Sequence, residues 1–246
     1  YVGTNALLSG FTLTNGHTRA SGDSSKEQSG GGVWCETSGV VSNCVLTGNS
    51  ADDGGGAYQG TLYNCTLTGN SADGYYPSYG GGAYQGILYN CTLTGNSAFE
   101  GGGAAGGTLY NCVLTGNSAD RGGGASECTL YNCILTGNSA ANYGGGAYQG
   151  TLYNCVLTGN SADDDSGGAS FSTLYNCIVY YNTAPTNPNY YDSSFYYSCT
   201  TPLPDGEGNI SDEPLLASTT HLSANSPCVG KGSLQYSSGV DIDGEP

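Results

Sequence analysis

The sequence contains no methionine, one tryptophan and four basic residues. With 43 glycines among 246 residues and an apolar fraction of 37%, it lacks the large aliphatic side chains of an ordinary globular core. Twenty acids against four bases leave a net charge of −16, which makes nucleic acid and anionic lipid surfaces poor partners because their phosphates would be repelled. No apolar run approaches the roughly 20 residues that a membrane helix needs, so membrane insertion is not expected. There is no C-x-x-C pair and little basic charge to lower a thiol pKa, which argues against a thiolate metal site. A basic-then-apolar leader is also missing. The opening residues YVGTNALLSGFTLTNG already carry a structural pattern, as a processed or trimmed piece of a longer precursor would.

What the chain does have is a repeat. GTLYNCTLTGNSA begins at Gly60, and close copies begin at Gly86, Gly107, Cys128, Gly150 and Ser172. Cysteines following Asn fall at 44, 65, 91, 112, 133, 155 and 177, spaced by 21, 26, 21, 21, 22 and 22 residues, and Cys199 adds another 22. That period belongs to solenoids, in which one coil cannot bury its own interior and must stack on its neighbours. Two insertions, residues 17–29 and 73–79, occupy the same place in their coils, as a stack requires. Recurrent Gly-Gly-Gly and short runs of Thr, Tyr, Val, Ile and Cys favour strands over helices. The Leu-x-x-Leu-x-Leu frame of a leucine-rich repeat is missing.

Parity constrains the coil further. Cys65 and Leu67 share a face, but Leu62 and Leu67 are five apart and cannot share one on a straight strand. A bend at Asn64, a residue tolerant of left-handed backbone angles, resolves the conflict. Further bends at Thr68–Asn70 and through the Gly run divide each coil into three strands, predicting a three-sided parallel β-helix of about 21 residues per coil. Ala57, Leu62, Cys65, Leu67 and Ala72 are then inward, and Tyr58, Tyr63 and Thr66 outward. The rival assignment, one straight strand facing Tyr63, Cys65 and Leu67 inward, exposes every Leu62 equivalent. Asn49, Asn70, Asn96, Asn117, Asn138, Asn160 and Asn182 would stack at one corner, where amides can bond along the axis as in cross-β ladders. The coils are assigned to residues 1–201, and residues 202–246 to irregular coils continuing the solenoid.

LTGNSA followed by GGGAY resembles the paired F-x-x-N and G-G-A-I repeats of chlamydial polymorphic membrane proteins, with Leu in place of Phe. GFTLTNG, GGGVWCE, VSNCVLTGNSA and the tail LSANSPCVGKGS…DIDGEP are similar to large parallel β-helix proteins of Verrucomicrobia, Lentisphaerae and related bacteria, some carrying choice-of-anchor domains. The resemblance covers nearly the whole chain and implies a right-handed β-helix that is secreted or held at the cell surface. It carries over no catalytic residues.

Each chemical candidate has a structural counterpart. The cysteine ladder (Cys44, Cys65, Cys91, Cys112, Cys133, Cys155, Cys177 and Cys199) reads first as small buried apolar side chains and second as pairs between rungs. Cys35, Cys128 and Cys228 lie off that ladder and are the better disulfide candidates. Tyr63, Tyr89, Tyr110, Tyr131, Tyr153 and Tyr175 form an outward stripe, with Tyr58, Tyr84 and Tyr148 in part of another. Such a stripe either receives sugar rings or a neighbouring molecule, or only shields a flat sheet. Acidic corners at Asp52–Asp53 and Asp163–Asp165 suit Ca²⁺, but they do not recur in every coil and read more simply as solvated loops. No other cofactor is expected. The sequons at Asn64, Asn90 and Asn209 read as coincidences of the repeat.

Many β-helices are polysaccharide lyases or hydrolases, an analogy of fold alone. Here only the first insertion brings base, acid and imidazole together, through His17, Arg19 and Lys26, and the Asp clusters sit in Gly-rich loops that hold no fixed pair of carboxylates. The reading is therefore a non-catalytic, extracellular bacterial β-solenoid, joining itself head to tail as a filament subunit or serving as an adhesin stalk. The alternative is a carbohydrate-binding or carbohydrate-cleaving module.

Overall fold

Backbone meets backbone where each coil begins, which is why the coil opens on glycines. A Cβ on Gly102 would lie 2.2 Å from the Ser118 carbonyl oxygen and 2.7 Å from that of Gly123, leaving room for hydrogen alone. From there the chain runs through strand-length segments typified by Ala57–Tyr58, Thr61–Tyr63, Thr66–Thr68 and Ser71–Ala72. Equivalent segments pair in parallel, mostly 21 or 22 residues apart, as Leu109 with Leu130 and Leu130 with Leu152, and further apart across the insertions, as Leu62 with Leu88 and Leu8 with Val41. The result is an all-β parallel solenoid with sheets of eight, nine, nine and six strands, taken in the order of those four segments. The computed structural model describes residues 1–19, 21–74 and 76–237. The DIDGEP segment of the resemblance, at 241–246, lies outside the described residues.

The coil has four faces rather than three. Asn64 (φ 53°) and Gly69 (φ 61°) turn the chain at the positions read from sequence, but Gln59 (φ 56°) turns it as well and separates Ala57–Tyr58 from Thr61–Tyr63. Gln85, Glu127, Gln149 and Phe171 adopt the same left-handed angle at equivalent places. These are residue types without a special preference for it, so stacking of the coil imposes the angle. The Gln59 amide, for example, donates to the Tyr84 carbonyl of the next coil at 2.8 Å.

Ala57, Leu62, Cys65 and Leu67 belong to one continuous interior cluster that runs from Val2 to Phe195. Ala72 is buried but stands outside that cluster. Its equivalents Ala98 and Ala119 are only partly buried, because the Ser71–Ala72 face lies at the pinched, glycine-lined end of the coil. Tyr58 and Tyr148, assigned outward, are 8% and 7% exposed. Trp34 and Tyr84 cover the first, Phe171 and Arg121 the second.

The two ends of the solenoid differ. At the first coil the strands Leu7–Ser9 and Thr12–Thr14 pair on one side only, and Leu7 and Phe11 are 66% and 55% exposed. At the last coil the chain from Pro202 crosses the end. Tyr197 donates its amide to the Glu207 carbonyl, Thr200 and Ser198 exchange bonds with Ile210, and Asn209 Nδ2 donates to the Phe195 carbonyl. Residues 214–237 then turn back along the outside instead of adding coils. Ser233 contacts Asn176, and Tyr236 reaches Asn154, one coil further back.

Candidate functional site

Three ladders run along the axis. In the asparagine ladder each side-chain Nδ2 donates to Oδ1 of the next rung, at 2.9 Å from Asn49 through Asn138 and 3.0 Å from Asn160 to Asn182. The backbone amide of each rung donates to the same oxygen, and Nδ2 also donates to a leucine carbonyl, as Asn70 does to Leu46. Both donors and both acceptor lobes are thus used, which allows a fully buried amide without a desolvation penalty. The ladder ends at Gly16 in the first coil and Asn189 in the last.

The ladder cysteines from Cys44 to Cys177 are interior and free. Each Sγ donates to the carbonyl two residues back, as Cys65 to Tyr63 at 3.3 Å, and accepts the amide of the preceding rung, as Cys91 accepts from Cys65 at 3.4 Å. The thiol therefore satisfies a corner amide as well as filling space. Hydrogen bonding from Cys112 and burial push the Cys91 thiol up to about 12, and burial foremost raises Cys112, Cys133 and Cys155. Two assignments change. Cys35 and Cys128 do lie off the ladder, but as free thiols of the interior cluster rather than as disulfide partners, raised by burial to about 11 and about 12. Cys128 occupies the place held elsewhere by Gly107, Gly150 and Ser172. Cys199, counted on the ladder, is one residue out of register: it pairs with Ile178, and Ser198 takes the rung, its Oγ accepting the Cys177 amide at 2.9 Å. The spacing of 22 concealed this because the preceding coil is one residue shorter.

The tyrosine ladder is Tyr63, Tyr89, Tyr110, Tyr131, Tyr153 and Tyr175, extended by Tyr196, whose neighbours SFYYSC hide the repeat. Successive centroids are 4.7 to 5.1 Å apart with ring planes within 13°. Each ring face is thus covered by the next ring, so the stripe offers edges and hydroxyls rather than the open faces on which a sugar stacks. The second row is interrupted, since Ala105 and Ser126 stand between Tyr84 and Tyr148. There Arg121 folds over Phe99 and Tyr148 and lies 3.5 Å from the nearly buried Glu100.

Open aromatic surface lies instead beside the first insertion. Tyr1, Trp34 and Tyr58 stack in series at 5.3 and 6.1 Å, and Tyr1 is 81% exposed. Tyr1 and Trp34 border an open cavity of about 600 Å³ lined also by His17, Arg19, Lys26 and Glu36. Arg19 pairs with Glu27, and the Tyr1 hydroxyl donates to Glu36.

Among the described residues no three His, Cys, Asp or Glu side chains come together as a metal site. At the acidic corners Asp53 accepts the Tyr79 amide, and Asp165 accepts Asn187 Nδ2. Burial raises the Asp53 carboxyl above its usual range.

No family model matches the chain. No curated protein matches it either. Among solved structures it is similar to full-length QnrB1, described as a plasmid-mediated fluoroquinolone resistance protein, at 12% identity over 79% of this chain and 84% of that one, with a TM-score of 0.28.

Proposed function

We propose that the chain is a non-catalytic structural β-solenoid that provides a stiff, repetitive rod outside the bacterial cell, as a stalk or surface segment. The observation that supports this most is the continuity of the asparagine, cysteine and tyrosine ladders, which place the recurrent side chains of successive coils in contact with one another rather than around a substrate. The similarity of the repeats to secreted and surface-held β-helix proteins supports the location.

Within this reading the proposed partner is a second copy, joined head to tail. The final coil bonds to residues 207–210, so a copy stacking there must displace that cover before strand edges can pair. Light scattering with negative-stain imaging of the native protein tests the reading: rods of whole solenoid lengths are expected, and compact globules contradict it.

A second reading has one specific observation in its favour, the exposed Tyr1 ring beside Arg19 and Lys26. A sugar bearing a carboxylate would stack on the ring and meet the two cations. Titration with acidic and neutral polysaccharides, comparing the protein with Trp34→Ala, decides it; binding that the substitution abolishes would favour a carbohydrate module over a passive rod.

A further inference from the structure

Nine of the eleven cysteines lie in the interior cluster. There the seven from Cys44 to Cys177 that follow an asparagine point the same way from equivalent positions, an arrangement that rarely meets the disulfide dihedral. Cys199 and Cys228 are different. Cys199 stands in register with Ile178, between the inward Ser198 and Thr200 rungs, so its side chain leaves the solenoid on the outer face. It is nonetheless 2% exposed, because the returning segment covers it, and its thiol donates to the Asp212 carbonyl at 3.2 Å. Cys228 approaches from that segment, in a turn where its amide is held by Ser226 Oγ at 3.1 Å and its carbonyl by the Lys231 amide at 3.1 Å. Both cysteines line one cavity of about 200 Å³ with Lys231 and Leu222.

We propose that Cys199 and Cys228 form a disulfide that latches the returning C-terminal segment onto the last coil. Two side chains on separate elements, one facing out and one facing in, can turn their Cβ vectors toward each other as the ladder cysteines cannot. Cys228 is the half-buried partner and the accessible nucleophile. Its thiolate attacks a small-molecule disulfide, forming a mixed disulfide and releasing one thiolate. Cys199, giving up its proton, then attacks the Cys228 sulfur and expels the second. The protein loses two protons and two electrons, and the small disulfide is reduced to two thiols. The bond closes the chain from 199 to 228 over the solenoid end.

The test uses the full chain and oxidised glutathione. Intact mass should fall by two hydrogens, and a non-reducing peptide map should link the Cys199 and Cys228 peptides. Proteolysis between residues 214 and 237 should slow by about tenfold or more, in line with the usual effect of closing a loop of that length, and recover on reduction. Cys228→Ser should abolish the mass change while leaving the circular dichroism of the folded chain unchanged, since Cys228 is only half-buried. A glutathione adduct that persists on Cys228, a link from either residue to another cysteine, or no oxidation at all would overturn the proposal.

Discussion

Asn96 Nδ2 lies 2.9 Å from Asn117 Oδ1, and the Asn96 backbone amide lies 3.0 Å from the same atom. One buried oxygen thus joins two coils twice, while Asn117 Nδ2 carries the pattern on to Asn138 and back to the Leu93 carbonyl. Removing the amide in mid-ladder strands donors and acceptors on both neighbouring coils. Asn117→Leu should cost at least about 3 kcal/mol, since each unmet buried group costs about 1–3 kcal/mol. Asn15→Leu, at an exposed corner of the first coil with φ 54°, should cost only the left-handed strain of about 1–2 kcal/mol. Urea unfolding of the two variants gives the comparison.

Serine already serves as a ladder rung at Ser198. Cys112→Ser should therefore fold with a loss of about 1–2 kcal/mol, the burial term of a thiol exchanged for a hydroxyl that still accepts the Cys91 amide. Cys112→Val keeps the bulk and removes the acceptor, and should be the worse of the two. The opposite ranking in thermal melts would mean that packing alone sets the choice of cysteine.

Under reducing conditions the thiols should separate by reactivity. Hydrogen bonding from Cys199 holds the Cys228 thiol down to about 7 from an ordinary 9.0, whereas the interior thiols are raised, Cys35 to about 11 foremost by burial. Iodoacetamide should label Cys228 at a rate reaching half its maximum near pH 7, and label the interior set only on unfolding. The lowered Cys228 thiol also contributes stability that is lost as pH falls through about 7, while its partner Cys199 is raised by the same contact. The returning segment should accordingly be more readily cleaved by protease at pH 6 than at pH 8.

Two glycines separate the costs of space and of angle. Gly102→Ala drives a Cβ into backbone oxygens and should prevent stacking of that coil. Gly116 has φ 63° with nothing within 4 Å of the added atom, so Gly116→Ala should cost only about 1–2 kcal/mol of left-handed strain. Circular dichroism with urea melts should show one unfolded and one folded but weakened variant.

Stacked rings reinforce one another in a way single replacement can measure. Tyr131 lies 4.9 Å from both Tyr110 and Tyr153, and each such pair is worth about 0.5–1.5 kcal/mol beyond area. Tyr131→Leu should therefore lower stability by about 1–3 kcal/mol and leave polysaccharide titrations unchanged, because the faces it loses were never open.

The period, the parallel stacking, the inward Leu62, Cys65 and Leu67 and the corner asparagines are all local patterns, and a pattern that recurs every 21 or 22 residues has one economical solution, equivalent side chains placed over each other. Sequence alone determined that much. What it left open depended on contacts between coils. Gln59 turns a fourth corner because the next coil fixes its amide, an angle its residue type does not announce. Cys199 shifts one place because strand pairing, rather than spacing, sets register. Tyr58 is covered because Trp34 and Tyr84 flank it. The closed last coil, the Asn154 and Asn176 docking of the returning segment and the meeting of Cys199 with Cys228 join residues dozens of positions apart in a region without repeat, where no periodicity marks a partner and only the tertiary fold decides who meets whom.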